Sequence, residues 1–315
     1  MRTVLDIFLL ILGFAMLIQS AKVFVTASVA IARRLKIPTM VIGLTVVAMG
    51  TSAPEVVISV SAAIGGSGDL AIANVVGSNI FNLLFIVGFC ALIYPISVKM
   101  KAISRDYWAS VAATVLLLIM VMVFGDAIPR LGGLALLLGF AAYMFIVVRG
   151  ALKNKSDENP ESATRNRPLW QNICLAILGI AVIVGAGQLT VFSAVNIATT
   201  MGITERVIGL TIVAMGTSLP ELITTLIACR KKEGEFALGF IIGSSIFNIM
   251  FVLGLSGLIT PLAIDPSVIF DMAVLTAGTL MFFLFAKSSE RVVRVEGLSM
   301  MLIYVGYMIW VVIQG

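Results

Sequence analysis

Residues 43–55 read GLTVVAMGTSAPE and residues 209–221 read GLTIVAMGTSLPE, with eleven of thirteen positions identical at an offset of 166. Extended without gaps, 43–88 against 209–254 keeps 21 identities in 46, and a second shared block, GSNIFN at 77–82 against GSSIFN at 243–248, lies inside it. Ile11-Leu12-Gly13 and Ile177-Leu178-Gly179 match at the same offset. Two apolar segments can look alike through composition. A shared GTSxPE followed by a shared GSxIFN at one offset is an internal duplication.

Around these blocks the chain is written for a bilayer. Of 315 residues, 60% are hydrophobic and only 12% charged, about half the charged share of a soluble domain. Apolar segments fall near 5–32, 40–64, 70–95, 107–125, 131–149, 171–200, 206–229, 236–260, 268–286 and 296–313. A crossing needs roughly 20 such residues, so the expected fold is an all-α polytopic membrane protein of ten transmembrane helices. The first run starts like a signal peptide, with Arg2 before an apolar stretch, but it resumes after Lys22 and continues to Ala32, too long for one. Helices 1 and 6 exceed the bilayer core and should tilt. Residues 151–168 (ALKNKSDENPESATRNRP) form the one sustained polar stretch and read as a linker. The expected organisation is a five-helix repeat over 1–150, a linker over 151–168 and a second five-helix repeat over 169–315.

Basic residues set the orientation. Five alternate loops hold Arg33, Arg34, Lys36; Lys99, Lys101, Arg105; Arg149, Lys153, Lys155, Arg165, Arg167; Arg230, Lys231, Lys232; and Lys287, Arg291, Arg294, which is 17 of the 21 Lys and Arg. That places the linker in the cytoplasm and both termini outside, in the inner or plasma membrane of the cell. Five crossings per half is odd, so the second repeat enters from the opposite side. Inverted repeats place a binding site near the midplane, where the halves meet.

Composition removes several classes of activity. The chain has no histidine, which excludes Ser-His-Asp catalysis and His-ligated zinc. Cys90, Cys174 and Cys229 are far apart and lie in or beside apolar runs, where packing explains them. The net charge of +5 is scattered in short clusters, so nucleic-acid binding is not expected. No nucleophile–base pair argues for an enzyme, nothing calls for a prosthetic group, and no protein partner is evident beyond the lipid bilayer.

The remaining chemistry is oxygen. Of sixteen acidic residues, only Glu55 and Glu221 lie deep in apolar helices; the others, including Asp6 and Asp106, sit at segment ends or in loops and read as solvated charges. A deep acid costs on the order of 3 kcal/mol on insertion scales, and no Lys or Arg other than Lys22 approaches that depth. A bound cation is the expected partner. Pro54 and Pro220 remove an amide hydrogen and crowd the carbonyls of Gly50 and Gly216, so each helix should break there. The break is expected to free carbonyls such as those of Ala48 and Ala214, in the way broken helices line polar cavities. Thr51, Ser52, Thr217 and Ser218 add hydroxyls. On the following helices Ser78 and Asn82 are four apart, as are Ser244 and Asn248, which puts each pair on one face. All are hard oxygen ligands of the kind that suit Ca²⁺, and sodium, of similar size, takes the same donors. Two carboxylates balance one Ca²⁺ or two Na⁺, which suggests exchange of one for the other.

The doubled GTSxPE and GSxIFN motifs, in inverted halves, resemble the α-repeats of the sodium/calcium exchanger family, within the cation/calcium antiporter superfamily, of the prokaryotic type with a short linker. The resemblance covers essentially the whole chain. It implies a secondary antiporter working by alternating access, with ions bound by helices 2, 3, 7 and 8 and helices 1 and 6 sliding as a gating pair. It assigns Glu55 and Glu221 to calcium. It assigns Thr51, Ser52, Ser78, Thr217, Ser218, Ser244 and the carbonyls of Ala48 and Ala214 to sodium, with Asn82 and Asn248 completing the centre. The competing readings are a proton/calcium or potassium-dependent exchanger of the same superfamily and, from another class, an uncoupled cation channel.

Overall fold

A computed structural model describes residues 2–98, 100–125, 127–153, 167–201, 214–264 and 267–314. The chain is helical nearly throughout: α1 (Arg2–Arg34), α2 (Thr39–Thr51), α3 (Ala53–Ile64), α4 (Gly68–Ile93), α5 (Met100–Phe124), α6 (Arg130–Lys153), α7 (Leu169–Thr200), α8 (Ala214–Thr217), α9 (Leu219–Arg230), α10 (Gly234–Ile259), α11 (Ser267–Ser289) and α12 (Arg294–Gln314). Among the described residues eight helices are long and apolar enough to cross a membrane. The α2–α3 pair, bent by 49°, makes a ninth. The segment expected over 206–229 is described only from Ala214 onward, and most of the linker, 154–166, also lies outside the described residues.

The expectation of an all-helical chain needs one correction. Four two-residue strands follow or precede helices, the first three beside prolines: β1 (Ile96–Ser97), β2 (Ala127–Ile128), β3 (Leu262–Ala263) and β4 (Arg291–Val292). β1 pairs antiparallel with β4, and β2 with β3, so each ribbon takes one strand from each half of the chain. Pro95 and Pro261 follow the ends of α4 and α10, where they stop helix growth, Pro129 immediately precedes α6, and the short pairings satisfy backbone groups there.

These contacts sort the loops into two ends. At one end Arg33 meets Glu233, Arg34 meets the Arg167 carbonyl, Ser97 pairs with Arg291, and Gly234 lies beside Ser97. At the other, Ala127 pairs with Ala263, Gly68 packs against Leu262 and Ala263, and Arg130 reaches the Ile259 carbonyl.

Burial separates a centre from a periphery. The best apolar window of α10 is 94% buried and that of α4 72%, against 22% for α1 and 17% for α12. The outer helices present large apolar side chains such as Val4, Phe8, Ile11 and Leu131, as a bilayer requires. α10 approaches α2 so closely that a methyl at Gly239 would sit 2.5 Å from the Met40 carbonyl, and one at Gly243 would overlap the Leu44 backbone. Only glycine permits that contact. Gly77, the counterpart of Gly243, has no described atom within 4 Å of such a methyl. The residue matching Leu44 falls within 202–213, outside the described residues.

α1 and α7, at 33 and 32 residues, lie along one another. Their crossing is reciprocal: Gly13 faces Thr190 and Gly179 faces Phe24, each pair being the other shifted by 166. At 1.5 Å per residue each is about 50 Å long, so both must tilt in a core about 30 Å thick.

Candidate ion-binding site

Both GTSxPE motifs make the same local structure. α2 ends at Thr51, Ser52 takes φ −80° and ψ 14°, and α3 starts with Pro54 in its first turn. α8 ends at Thr217, Ser218 takes φ −92° and ψ 9°, and α9 starts with Pro220 in its first turn. Proline suits a helix start, where its missing amide hydrogen has no partner to lose. Glu55 and Glu221 therefore fall in first turns, at the positive end of a helix dipole, which favours a carboxylate.

Both carboxylates are completely buried. The Ser52 hydroxyl donates to Glu221 Oε1 at 3.2 Å, and the Ser218 hydroxyl donates to Glu55 Oε1 at the same distance. Each half thus supplies a hydroxyl to the acid of the other, and the two breaks meet face to face. The second oxygens, Glu55 Oε2 and Glu221 Oε2, are buried with no hydrogen-bond partner. Leaving such a group bare is costly, and a cation between them removes that cost.

The second pair of motifs completes the enclosure. After Ile80 and after Ile246 the helices widen into π turns, Phe81–Ile86 and Phe247–Val252. Such turns insert a residue into the hydrogen-bond ladder and recur at functional sites. Phe81 stacks on Phe85 at 5.0 Å and Phe247 on Phe251 at 4.7 Å; Tyr304 of α12 braces the first pair and Phe140 of α6 the second. α3 packs against the π turn of α10, and α9 against that of α4. The element carrying Glu55 thereby meets the one carrying Asn248, and the element carrying Glu221 meets the one carrying Asn82. Ser78, Asn82, Ser244 and Asn248 are buried, and Asn82 Oδ1, Asn248 Oδ1 and Ser244 Oγ have no partner. With the two glutamate oxygens that makes five bare oxygens and no nitrogen or sulfur ligand.

Other expected ligands take particular places. Thr51 is buried and donates to the Val47 carbonyl at 3.1 Å, which keeps its lone pairs available. Thr217 lines a cavity of about 250 Å³ between α7 and the two prolines. The Ala48 carbonyl is less free than the break suggests, since it accepts the Ser52 amide at 3.1 Å. In the second half the Ser218 amide turns instead to Met215, at 3.2 Å, so the Ala214 carbonyl does not receive it.

Two expectations about outlying charges change. Asp106 is not solvated: it is 2% exposed, held by Arg105 at 2.9 Å and by the Tyr143 hydroxyl at 3.2 Å. Asp6 is also buried and accepts from Asn196 at 3.1 Å. Sequence reasoning also passed over Thr224, whose buried hydroxyl has no partner and which lies three residues after Glu221, on the same face. Its counterpart is Ile58, so the repeat gave no signal for it.

A buried, oxygen-only cluster on broken helices, inside a multi-pass membrane protein, defines a carrier of hard cations. The chain belongs to the sodium/calcium exchanger protein family, whose sequence profile matches residues 5–149 and 171–313. It is 39% identical to the putative antiporter CaxA of Alkalimonas amylolytica, over 96% of this chain and 97% of that protein. It is 33% identical to the sodium/calcium exchanger MaX1 of Methanosarcina acetivorans, over 96% and 97% of the two chains. The fold matches the sodium-calcium exchanger NCX_Mj in a crystal soaked with 2.5 mM Na⁺ and 0.1 mM Ca²⁺, with a TM-score of 0.84, 30% identity and 96% of each chain covered. The chain is thus a cation/Ca²⁺ transporter rather than an enzyme, and Na⁺ and Ca²⁺ are the ions of its family.

Proposed function

We propose that this protein exchanges Na⁺ for Ca²⁺ across the cell membrane, with the ions bound midway between two inverted five-helix repeats. The observation that carries the reading is the reciprocal Ser52–Glu221 and Ser218–Glu55 pairing, which leaves one bare, buried oxygen on each glutamate. One Ca²⁺ neutralises both carboxylates. The hydroxyls of Thr51, Ser52, Ser78, Thr217, Ser218 and Ser244 and the Ala48 and Ala214 carbonyls serve the flanking sodium ions, and Asn82 and Asn248 close the centre.

Ten crossings follow if the segment that ends in α8 and α9 spans the membrane as its counterpart α2–α3 does. The sorting of loops supports inversion. The end that holds Arg33, Arg167, Lys231 and Arg291 is the one rich in basic residues, and it is cytoplasmic by the charge rule. Both termini then face outward. On this reading α1, which packs on α2 and α9, closes the cytoplasmic end, and the cavity beside Pro54 and Pro220, on the α3 side, is where ions would enter from outside. Alternating access requires α1 and α7 to slide so that these roles exchange.

The test is ⁴⁵Ca uptake into vesicles holding the purified protein. Uptake should follow an outward Na⁺ gradient and vanish when an ionophore collapses it. Uptake driven by a proton gradient alone would replace this reading with proton/calcium exchange. Cysteines placed at Ser156 and Gly315 should label from opposite sides of the membrane, and labelling from one side would end the inverted-repeat reading.

A further inference from the structure

The two central amides are symmetric in sequence and unequal in their surroundings. Asn79, one residue after Ser78 in the first GSxIFN motif, is completely buried, and its Nδ2 donates to the Ser245 carbonyl at 3.3 Å. A carbonyl only accepts, so this contact fixes which way the Asn79 amide is turned. Its Oδ1 then points to Asn248, whose Nδ2 donates to it at 3.2 Å. The second link is as constrained as the first: an amide oxygen only accepts, so Asn248 must offer nitrogen. Asn248 Oδ1 is therefore turned the other way, and it is one of the bare, buried oxygens.

The mirror position lacks the device. The counterpart of Asn79 is Ser245, whose hydroxyl donates to the Ile241 carbonyl of its own helix at 3.1 Å. Asn82 is left with neither Nδ2 nor Oδ1 partnered, and its amide is free to turn either end toward the site.

We propose that Asn79 is a positioning residue that locks Asn248 as a fixed oxygen ligand for the transported cation, so that the two halves hold one rigid and one rotatable amide. This inference rests on the ion site proposed above. Asn79 touches no ion itself and acts through Asn248, as outer hydrogen bonds orient the ligands of other metal sites. Behind it lies a cavity of about 20 Å³ lined by Ser110, Thr114 and Thr279, among others, room enough for one water. A variant that loses the amide can therefore hydrate the Ser245 carbonyl and still fold.

The experiment compares Asn79→Leu with Asn79→Asp in the vesicle uptake assay. Leucine is of similar size and can neither donate nor accept. Aspartate keeps an acceptor for Asn248 in either protonation state. Asn79→Leu should raise the Ca²⁺ concentration for half-maximal uptake about tenfold or more, the usual scale for loss of an outer-sphere partner. Asn79→Asp should stay nearer the wild type. In an Asn248→Ala background the leucine change should have no further effect, whereas with Asn82→Ala its effect should persist in full, because only coupled residues depart from additivity. An unchanged half-saturation in Asn79→Leu, equal losses in Asn79→Leu and Asn79→Asp, or a full loss on the Asn248→Ala background would each overturn the inference. Should Asn79→Leu fail to fold, Asn79→Ala enters the same cycle. Wild-type protein that shows no sodium-driven uptake would instead remove the function on which the inference rests.

Discussion

In the first half Ser52 donates to a carboxylate of the second, and in the second half Ser218 donates to a carboxylate of the first, both at 3.2 Å. At the basic end of the molecule the likeness stops. Arg33 pairs with Glu233 at 3.0 Å, and Lys231 donates to the Lys22 carbonyl at 2.9 Å and to the Thr26 hydroxyl. Shifted by 166, those positions are Thr199, Ser67, Gly65, Gln188 and Phe192, with no charge among them. The two halves share the reciprocal serine–glutamate geometry and differ in how their ends are held. The proposed exchange needs the two glutamates alike, because one divalent ion would face both carboxylates. It does not need the two ends alike, because they would face different solutions.

The sharpest way to break the comparison is at the acids. Glu55→Gln and Glu221→Gln each remove half of the compensating charge while burying a cheaper group. Each should lower sodium-driven calcium uptake by orders of magnitude with folding intact, and the two losses should be similar. Near-normal uptake in either variant would refute the site, and a large gap between them would refute its symmetry.

The serines come next. Ser52→Ala and Ser218→Ala each delete a hydrogen bond to a charged group, worth about 1.5–3 kcal/mol. The Ca²⁺ requirement should rise roughly ten- to a hundredfold in each, on the same energy scale. Equilibrium calcium binding to the detergent-solubilised protein measures this, and an effect confined to one serine would show that the reciprocal bonds do different work.

The charged clasp is a smaller matter. Arg33→Ala or Glu233→Ala removes a partly exposed ion pair worth up to about 1 kcal/mol, so the balance between closed and open cytoplasmic ends should shift by up to about fivefold. Cysteine accessibility from the cytoplasmic side reads that shift, and exchanging the two charges should restore the balance. The counterpart changes, Thr199→Ala and Ser67→Ala, should leave it unmoved.

Potassium should do nothing. Asn82 and Asn248 are both neutral amides, so the proposed centre holds two carboxylates, which one Ca²⁺ would balance. Uptake with choline in place of K⁺ on both sides, at clamped potential, should proceed in full. A several-fold stimulation by K⁺ would show that another group supplies the missing negative charge, and the neutral-amide argument would fail.

Much of this was legible in the residues. The offset of 166 located both breaks, where Gly50 with Pro54 and Gly216 with Pro220 weaken the helix, and Ser78 and Asn82, singled out by their spacing, are both buried. What escaped was whatever depends on register rather than residue type. A π turn adds one residue to the ladder without changing the apolar pattern, so Phe81–Ile86 looked like ordinary helix. Two-residue strands are too short to show alternation. Asn79 and Thr224 were hidden by the repeat itself, because their partners in the alignment are Ser245 and Ile58, and a search for what the halves share discards what they do not. Asp106 was misplaced because burial near a helix end comes from Tyr143, which arrives from another helix.

The crossed ribbons carry a further consequence for how the chain is made. Ile96 pairs with Val292, and 292 − 96 = 196 residues must be added before that partner exists. Glu55 is separated from Ser218 by 163. At synthesis rates of about 5–20 residues per second, the ribbon stays open for roughly 10–40 seconds. For the 163 residues between Glu55 and Ser218, the first half carries a carboxylate whose hydroxyl has not yet been translated. Each half thus lacks the hydroxyl its own buried acid accepts from until the other half has been made.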